Sequence, residues 1–464
     1  MILDKVKKVH FIGIGGAGMS GLAGILLEAG FRVSGSDIRE SRITGRLREG
    51  GAVVWLGHKE ENAGDADLVV FSSAIPSSNP ELRMARESKV PLLTRGEMLA
   101  ELLKEKKGIA IAGTHGKTTT TSMAALVLCE ADLDPTIIIG GEVNDIGGSA
   151  KLGEGKYLVA EADESDGSFL KLFPELAVVT NIEADHLDYY SCLETVIEAF
   201  GKFVKNISPG GGLIFCSDCP NTGKMVERSK LEIDLLTYGL EKGAELGVEQ
   251  LKMEGAGSSF EVFHHGCRLG EIRLQVPGRH NVRNSLAAIG VGLKVGTDFS
   301  RIRSSLEKFR GVQRRFEVKG ILNDIIIVDD YAHHPGEIRA TLEAAKWRKP
   351  ERIITVFQPH RYTRTKFLKE EFSSAFPGTD VLVLTEIYAA GEEFLPGTSG
   401  QALFEAVRSR RDKEVEFIPD KSKIADYLIS ILRPGDMVIT MGAGDIGTVA
   451  EEVVIKLKAE KVER

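Results

Sequence analysis

The sequence contains no uninterrupted apolar run of the roughly 18 residues that a membrane-spanning helix needs. Residues 1–13 lack the apolar segment and cleavage site of a signal peptide. Basic residues are in deficit, because 59 Lys and Arg face 67 Asp and Glu for a net charge of -8, and no long basic run occurs. We therefore expect neither a membrane nor a nucleic-acid partner, with a cytoplasmic location as the default.

Cysteine is scarce and scattered. The five cysteines are an odd number spread over the chain, which argues against a disulfide framework. Cys216 and Cys219 have C-x-x-C spacing, but no second pair accompanies them to complete a zinc site. We interpret both as ordinary side chains.

The chain has 464 residues, of which 42% are hydrophobic, 27% charged and 51 are glycine. This length predicts two to four globular domains. Alternating strand and helix patterns occur in three separate series along the chain. They predict an α/β protein with domains at 1–106, 107–310 and 311–464. We expect a Rossmann-like N-terminal domain, a central P-loop ATPase-type parallel sheet and a Rossmann-like C-terminal domain. Two strand patterns between residues 246 and 277 predict a small antiparallel addition to the central sheet.

The segment Gly108–Thr121, GIAIAGTHGKTTTT, predicts a phosphate-binding loop between a buried strand and a helix. Gly113 and Gly116 allow backbone N–H groups to approach an anion, and the start of the helix adds positive potential. Lys117 is expected on the β- and γ-phosphates and the Thr118 hydroxyl on Mg²⁺. Because Ile111 replaces the first glycine of the usual motif, we expect a tighter loop.

The first turn of the chain, Gly13-x-Gly15-x-x-Gly18, fits a dinucleotide fingerprint. Asp37 ends the second predicted strand, 19 residues after Gly18. The pattern supports a diphosphate at a helix N-terminus, with an acidic group for a ribose or base edge. An NAD-dependent dehydrogenase therefore remains open at this point, as does a nucleotide-binding module without catalysis.

Acidic residues and a histidine follow two strands of the central domain, in EADESD (161–166) and NIEADHLD (181–188). The carboxyl ends of parallel strands meet at one edge of a sheet, so both stretches should face the same crevice as Lys117. Carboxylates there can hold Mg²⁺. Spacing alone does not select the ligand.

The C-terminal domain carries polar clusters at two further strand ends, DDYAHHP (329–335) and FQPHRYTRTK (357–366). The arginines of the second cluster suit a carboxylate or phosphate, because a guanidinium binds such groups in a bidentate way. Arg314 and Arg315 lie at the predicted junction of the second and third domains. From there an arginine could reach a γ-phosphate when the domains close. For any one of these residues a structural salt bridge remains the alternative to a role in the site.

With these motifs assembled, the chain resembles the Mur ligases, ATP-dependent amide-forming enzymes of peptidoglycan synthesis. The resemblance covers essentially the whole chain and lies in eight segments that occur in the family's order: HFIGIGGAGMSG, GTHGKTTTT, EADESD, NIEADHLD, HNVRN, RRFE, DDYAHHP and FQPHRYTRT. Gly336 follows DDYAHHP where the family pattern suggests threonine, which affects only the detail of that loop.

The resemblance implies specific roles for individual residues. It implies ATP binding by Gly113, Thr114, His115, Gly116, Lys117, Thr118 and Thr119. It implies that Thr118 and Glu161 ligate one Mg²⁺ and that His186 ligates a second. Asn281 and Asn284 would contact the nucleotide, Arg315 the γ-phosphate and Asp330 the ribose side. UDP-sugar binding would fall to Gly15, Gly16, Ala17, Gly18 and Asp37, and the amino-acid pocket to Tyr331, His333, His360, Arg361 and Arg364.

The resemblance further implies the reaction. The lactyl carboxylate of UDP-N-acetylmuramate would attack ATP to give an acyl phosphate, and the amine of L-alanine would then displace phosphate. A murein tripeptide ligase that uses the same sugar nucleotide shares several of the motifs and remains the alternative within the family. We expect a monomer or a weak dimer.

Overall fold

The computed structural model describes residues 2–72, 74–143 and 148–462 and forms three α/β units, each built on its own sheet. No helix in these described ranges is both long and apolar enough to cross a membrane. We call the units the N-terminal, central and C-terminal domains. Their exact boundaries at residues 106 and 310 stay a prediction.

The N-terminal domain contains a five-stranded parallel sheet in the order β3-β2-β1-β4-β5, which is the Rossmann arrangement that the sequence predicts. Gly13, with φ +80°, makes the sharp turn after the first strand. The strands are β1 (Lys8–Ile12), β2 (Arg32–Asp37), β3 (Val53–Leu56), β4 (Leu68–Phe71) and β5 (Leu92–Thr94), and the helices are α1 (Ala17–Glu28), α2 (Arg42–Glu49), α3 (Pro80–Glu87) and α4 (Arg95–Leu103).

A buried polar cluster fixes the end of β2. The Glu81 carboxylate is fully buried and accepts hydrogen bonds from Ser36 Oγ at 2.5 Å and Asn62 Nδ2 at 2.6 Å. His10 Nε2 lies 3.5 Å from the same carboxylate. Burial alone would raise the pKa of Glu81, but these hydrogen bonds outweigh it and lower the pKa to about 2. Glu81 therefore anchors the strand that ends at Asp37.

The central domain contains a ten-stranded mixed sheet in the order β15-β14-β13-β12-β11-β10-β6-β9-β7-β8. The antiparallel addition predicted near residues 246–277 is present as β13 to β15, and the structure adds an antiparallel pair, β7 and β8, at the other edge. The strands are β6 (Lys107–Ala112), β7 (Thr136–Val143), β8 (Gly148–Lys151), β9 (Tyr157–Glu161), β10 (Leu176–Val179), β11 (Gly212–Cys216), β12 (Asp234–Tyr238), β13 (Leu246–Glu254), β14 (Gly257–His264) and β15 (Cys267–Leu274).

Helices cover both faces of the central sheet, which is why its inner strands are continuously apolar. The two longest, α5 and α9, pack against each other. The helices are α5 (Lys117–Glu130), α6 (Leu187–Tyr190), α7 (Leu193–Lys205), α8 (Pro220–Ser229), α9 (Arg279–Lys294) and α10 (Phe299–Lys308).

The C-terminal domain contains a six-stranded sheet in the order β16-β17-β21-β18-β19-β20, parallel except for the edge strand β16. The strands are β16 (Glu317–Leu322), β17 (Ile325–Asp330), β18 (Arg352–Phe357), β19 (Val381–Leu384), β20 (Glu414–Phe417) and β21 (Asp436–Met441). The helices are α11 (Pro335–Lys346), α12 (Tyr362–Phe367), α13 (Lys369–Ser373), α14 (Gly400–Arg408), α15 (Ile424–Ile431) and α16 (Gly447–Val462).

Charged contacts join the three domains. Arg95 Nη2 of the N-terminal domain donates to Asp163 Oδ2 of the central domain at 3.0 Å. Arg364 of the C-terminal domain donates to both oxygens of Asp185, at 3.0 and 3.2 Å, and both side chains are buried. The domains therefore meet at the carboxyl end of the central sheet, where the polar clusters predicted from the sequence lie.

Candidate active site

The loop between β6 and α5 has a backbone that only glycine fits at two points. Gly113 has φ +137°, and a Cβ atom there would lie 2.0 Å from Thr180 Oγ1. Gly116 has φ +81° and is the N-cap of α5, and a Cβ atom there would lie 2.6 Å from Asn284 Oδ1. The N-terminus of α5 is therefore open to a ligand and carries the positive end of the helix dipole.

Lys117 is held by a buried acidic partner. Its Nζ donates to Glu164 Oε1 and Oε2 at 2.9 and 2.8 Å and to Gly113 O at 2.6 Å. Burial raises the pKa of Glu164 to about 7, despite the opposing effect of the Lys117 charge. The lysine is thus fixed over the loop. Its partner Glu164 can be protonated near neutral pH at little cost in free energy.

The residues expected to bind Mg²⁺ lie on three elements: Thr118 in the first turn of α5, Glu161 at the end of β9 and His186 at the N-cap of α6. Glu161 accepts hydrogen bonds from Gly140 N at 2.7 Å and from Thr118 Oγ1 at 3.3 Å. His186 adopts a left-handed backbone with φ +52°, and its buried Nδ1 has no hydrogen-bond partner among the described residues. Burial also lowers the pKa of His186, which keeps this nitrogen available as a lone-pair donor. The oxygens of Glu161 and Thr118 suit one cation, and the orphaned nitrogen of His186 suits a second.

His115 forms ion pairs that cross from the central to the C-terminal domain. Its Nδ1 lies 3.3 Å from Glu337 Oε1, and its Nε2 lies 3.1 Å from His334 Nδ1 and 3.5 Å from Glu183 Oε2. Burial opposes the imidazolium, but the two carboxylates outweigh it and raise the pKa of His115 to about 10. Thr114 Oγ1 accepts the Glu183 N–H at 2.9 Å, which ties the same loop to the end of β10.

Arg315 and Asp330 approach the loop from the C-terminal domain. Arg315 Nη1 donates to Glu337 Oε1 at 3.4 Å, and its guanidinium carbon lies 5.1 Å above the Tyr331 ring. Asp330 accepts the N–H groups of Phe316 and Ala332 at 2.8 and 2.7 Å, and burial raises its pKa to about 6. Arg315 is therefore a half-buried cation whose direct carboxylate contact among the described residues is with Glu337.

A cavity of about 380 Å³ lies between the central and C-terminal domains. It brings together seven of the residues predicted from the sequence: His115, Gly116, Thr119, Asn281, Asn284, Arg315 and Asp330. The Asn281 amide donates to Pro277 O at 2.7 Å, and the Asn284 amide donates to Asn281 Oδ1 at 3.2 Å, which fixes the orientation of both. The predicted nucleotide residues of two domains thus face one space.

The predicted amino-acid pocket is an aromatic group next to this cavity. The ring of His333 lies 5.3 Å from that of Tyr331 and 5.9 Å from that of His360. His360 stacks on Tyr388 at 5.6 Å with an interplanar angle of 8°. Burial lowers the pKa of His333 to about 3 and of His360 to about 4, so both imidazoles are neutral at neutral pH.

Both arginines predicted for the amino-acid pocket already have carboxylate partners. Arg361 Nε lies 2.7 Å from Glu392 Oε1, and Arg361 Nη2 lies 3.4 Å from Asp188 Oδ2. Arg364 is engaged by Asp185, as described above. Both arginines and His186 line a small crevice between the domains. The structure thus places Arg364 in an interdomain ion pair, the alternative to a site role that the sequence leaves open for these arginines.

The residues predicted to bind the UDP-sugar lie in the N-terminal domain, outside the lining of the large cavity. Gly15 N donates to Asp37 Oδ2 at 2.9 Å, Gly16 is the N-cap of α1, and Ala17 is its first residue. At Gly18 a Cβ atom would lie 2.9 Å from Arg95 Cδ. Asp37 therefore holds the glycine loop itself, and a guanidinium covers the start of α1.

Sequence reasoning missed several residues of this arrangement. Arg95 connects the glycine loop to Asp163, and Tyr388 supports His360, but neither lies in a recognisable motif. Glu337 could have been found, because it follows His334 by three residues at the start of α11, where a capping box places an acidic residue. Its contacts with His115 and Arg315 required the fold.

Family models match most of the chain in three consecutive parts. Residues 8–107 match "Mur ligase family, catalytic domain", residues 111–292 match "Mur ligase middle domain", and residues 314–444 match "Mur ligase, glutamate ligase domain". The three models follow the order of the three sheets.

Curated relatives are similar over nearly their full length. A UDP-N-acetylmuramate–L-alanine ligase of Geotalea daltonii is 50% identical over 98% of this chain and 99% of its own. One of Pelotomaculum thermopropionicum is 49% identical, with the same shares covered.

Solved structures give the same result. A UDP-N-acetylmuramate-alanine ligase of Thermotoga maritima matches with a TM-score of 0.83 and 32% identity, over 98% of this chain and 99% of that one. A murein peptide ligase of Psychrobacter arcticus has a TM-score of 0.73 and 23% identity over 97% and 98%, which shows a shared fold. The chain therefore belongs to the Mur ligase family of ATP-dependent ligases.

Proposed function

We propose that the chain joins L-alanine to the lactyl carboxylate of UDP-N-acetylmuramate with ATP, in the synthesis of peptidoglycan precursors. The names printed for the curated relatives support these substrates, because they are about half identical to this chain over nearly all of it. The family assignment favours this ligation over a dehydrogenase that would use the N-terminal glycine loop for NAD.

One observation carries the proposal: the phosphate-binding loop of the central domain faces Arg315 and Asp330 of the C-terminal domain across a single cavity. The phosphates of a nucleotide in this cavity would be within reach of positively charged groups from both domains. That arrangement suits transfer of a γ-phosphoryl group more than passive binding, because cations reach the phosphates from both sides.

In the first step, the lactyl carboxylate attacks the γ-phosphorus in line and ADP leaves, which gives an acyl phosphate. Lys117 and the N-terminus of α5 neutralise the phosphate oxygens in this proposal. Arg315 adds a second cation from the C-terminal domain. Lys117 would exchange Glu164 for phosphate at small cost, because the pKa of Glu164 is already raised to about 7.

Mg²⁺ is part of the proposal. Thr118 and Glu161 would hold one ion and His186 a second. The paired oxygens of Glu161 and Thr118 and the orphaned Nδ1 of His186 support these uses. When bound, the ions would supply positive charge to the phosphates.

In the second step, the neutral amine of L-alanine attacks the acyl carbon and phosphate leaves from a tetrahedral intermediate. Tyr331, His333 and His360 would border the amino acid. Neutral imidazoles can accept hydrogen bonds from an amine without adding charge repulsion, which supports an amine-binding role. Contacts between the C-terminal and central domains would exclude water, which would otherwise hydrolyse the acyl phosphate.

The N-terminal domain would bind the UDP portion of the sugar nucleotide at Gly15 to Gly18 and Asp37. The backbone N–H groups at the start of α1 suit a diphosphate. Together with the boundaries at residues 106 and 310, this assigns one substrate to each domain. A cytoplasmic location and a monomer or weak dimer complete the proposal.

ADP release tests the function directly. We expect sustained ADP release only when ATP, UDP-N-acetylmuramate and an acceptor amine are all present, because without an amine turnover stops at the acyl phosphate. Release should be fastest with L-alanine and weaker with glycine or L-serine. Offering L-alanine and the murein tripeptide in competition separates the two ligases, since preferential use of the tripeptide would establish the alternative. ATP binding without ADP release under all these conditions would indicate a non-catalytic nucleotide module.

A further inference from the structure

Three side chains from two domains converge on one point at the edge of the nucleotide cavity. His115 comes from the phosphate-binding loop, Glu183 from the segment after β10, and His334 from the N-cap of α11. His115 Nε2, Glu183 Oε2 and His334 Nδ1 are separated by 3.1, 3.5 and 3.8 Å. They are the only group of three such ligand atoms found among the described residues.

These separations match the geometry of a metal site. Zinc binds imidazole nitrogen and carboxylate oxygen at about 2.0 to 2.2 Å, which places neighbouring ligand atoms of a tetrahedral site about 3.3 Å apart. A cation equidistant from the three atoms would lie about 2 Å from each. Two imidazoles and one carboxylate are also a usual zinc ligand set when a fourth position is left open.

The other nitrogen of each imidazole has the partner that a metal-bound histidine normally has. His115 Nδ1 lies 3.3 Å from Glu337 Oε1, and His334 Nε2 lies 3.3 Å from the carbonyl oxygen of Ala184. Such carboxylate and carbonyl partners fix the tautomer and the ring orientation of a ligand. Both rings are therefore already oriented with the metal-binding nitrogen towards Glu183.

Binding would replace the present hydrogen bonds rather than move the backbone. His334 Nδ1 now accepts the N–H of Gly336 at 3.2 Å and faces His115 Nε2. A metal would displace the proton between the two imidazoles. Because His115 and Glu183 line the cavity, the open fourth position would face the nucleotide space.

We propose that His115, Glu183 and His334 form a binding site for a zinc-class divalent cation that bridges the central and C-terminal domains. This site is distinct from those proposed for Mg²⁺, which use Thr118 and Glu161 for one ion and His186 for a second. A bound zinc ion would link the two domains and occupy the approach to the phosphate-binding loop. Zinc would therefore inhibit the proposed ligation.

The test measures binding of Zn²⁺ alone to the metal-free full-length protein, by calorimetry and by competition with a chromogenic chelator. We expect one equivalent for the parent and a dissociation constant at least about tenfold higher for Glu183→Gln. His334→Asn should show the same loss. Because His334 also caps α11, melting curves without zinc are needed to check that His334→Asn is folded. Glu183→Gln serves as the second variant, since it leaves the backbone contacts of residue 183 in place.

Cys219→Ser is the matched control, because Cys216 and Cys219 line the same cavity and thiolates also bind zinc. We expect this variant to bind zinc as the parent does, and Co²⁺ in the parent to show no thiolate charge-transfer band. The proposal is wrong if Glu183→Gln and His334→Asn both bind zinc as tightly as the parent. It is also wrong if Cys219→Ser alone loses the ion.

Discussion

The ion pair between Arg364 and Asp185 gives the sharpest prediction, because a role of Arg364 in amino-acid binding can be separated from a role at the domain interface. The resemblance assigns Arg364 to the amino-acid pocket, whereas in the structure its Nε and Nη2 donate to Asp185 at 3.0 and 3.2 Å. Each side chain is about 6% exposed. Burial opposes the charge of Asp185, but the Arg364 guanidinium outweighs it and holds the pKa of Asp185 well below its usual range.

Arg364→Gln should leave the Asp185 carboxylate buried without its cation. Removing one partner of a buried pair costs about 3 to 5 kcal/mol, since the remaining charge is not solvated. For a domain of this size, about 1 kcal/mol shifts the melting temperature by roughly 2 to 4 °C. We therefore expect the transition of the C-terminal domain in calorimetry to fall by about 6 to 20 °C, and Asp185→Asn to behave similarly.

The double variant Arg364→Gln/Asp185→Asn removes both charges and should recover much of the lost melting temperature. The Michaelis constant for L-alanine is measured in the same variants. If Arg364 acts mainly at the domain interface, the double variant improves on Arg364→Gln in both measurements. A melting temperature within about 2 °C of the parent in both single variants would refute the structural reasoning.

Four further predictions follow from separate features. Lys117→Ala should abolish ADP release while UDP-sugar binding, measured by calorimetry, stays largely intact; equal loss of both would contradict the domain roles. Gly113→Ala should lower stability and ATP binding, because its Cβ would meet Thr180 Oγ1 at 2.0 Å; unchanged ATP affinity would argue against the loop geometry. Arg95→Ala should raise the Michaelis constant for the sugar nucleotide more than that for ATP, and an equal rise in both would exclude a role at the glycine loop. The pKa of Glu81 is about 2 in the folded state, below its ordinary value of 4.5. Its stabilisation of about 3 kcal/mol is therefore present above pH 4.5 and is lost as the pH falls towards 2. In urea unfolding, Glu81→Gln should reduce the dependence of the unfolding free energy on pH between 4.5 and 2.

The family assignment and much of the candidate site could be read from local sequence. A glycine that needs positive φ, a lysine at a helix start and acidic residues after apolar strands each have meaning within a few positions. The segment Gly113–Lys117 is the best example, since its turn, its helix start and its phosphate-binding character depend mainly on its own residues. The parallel, Rossmann-like N-terminal sheet was likewise predicted from strand and helix alternation, and the fold confirms it.

The edges of the sheets were less predictable. Strand β8 and its antiparallel pairing with β7 were absent from the sequence-based prediction, because a short edge strand has too few residues for a clear alternation. The same holds for β16, which pairs antiparallel with β17. Pairing at an edge depends on tertiary packing more than on local propensity.

By itself, the sequence determined which chemical groups each strand end and helix start would carry. Only the tertiary structure decided which of those groups meet: Arg364 with Asp185, and His115 with Glu183, His334 and Glu337. These partners lie up to 222 positions apart in the chain, from His115 to Glu337. Local patterns carry no information about such distances, because the contacts form only when separately folded sheets pack together.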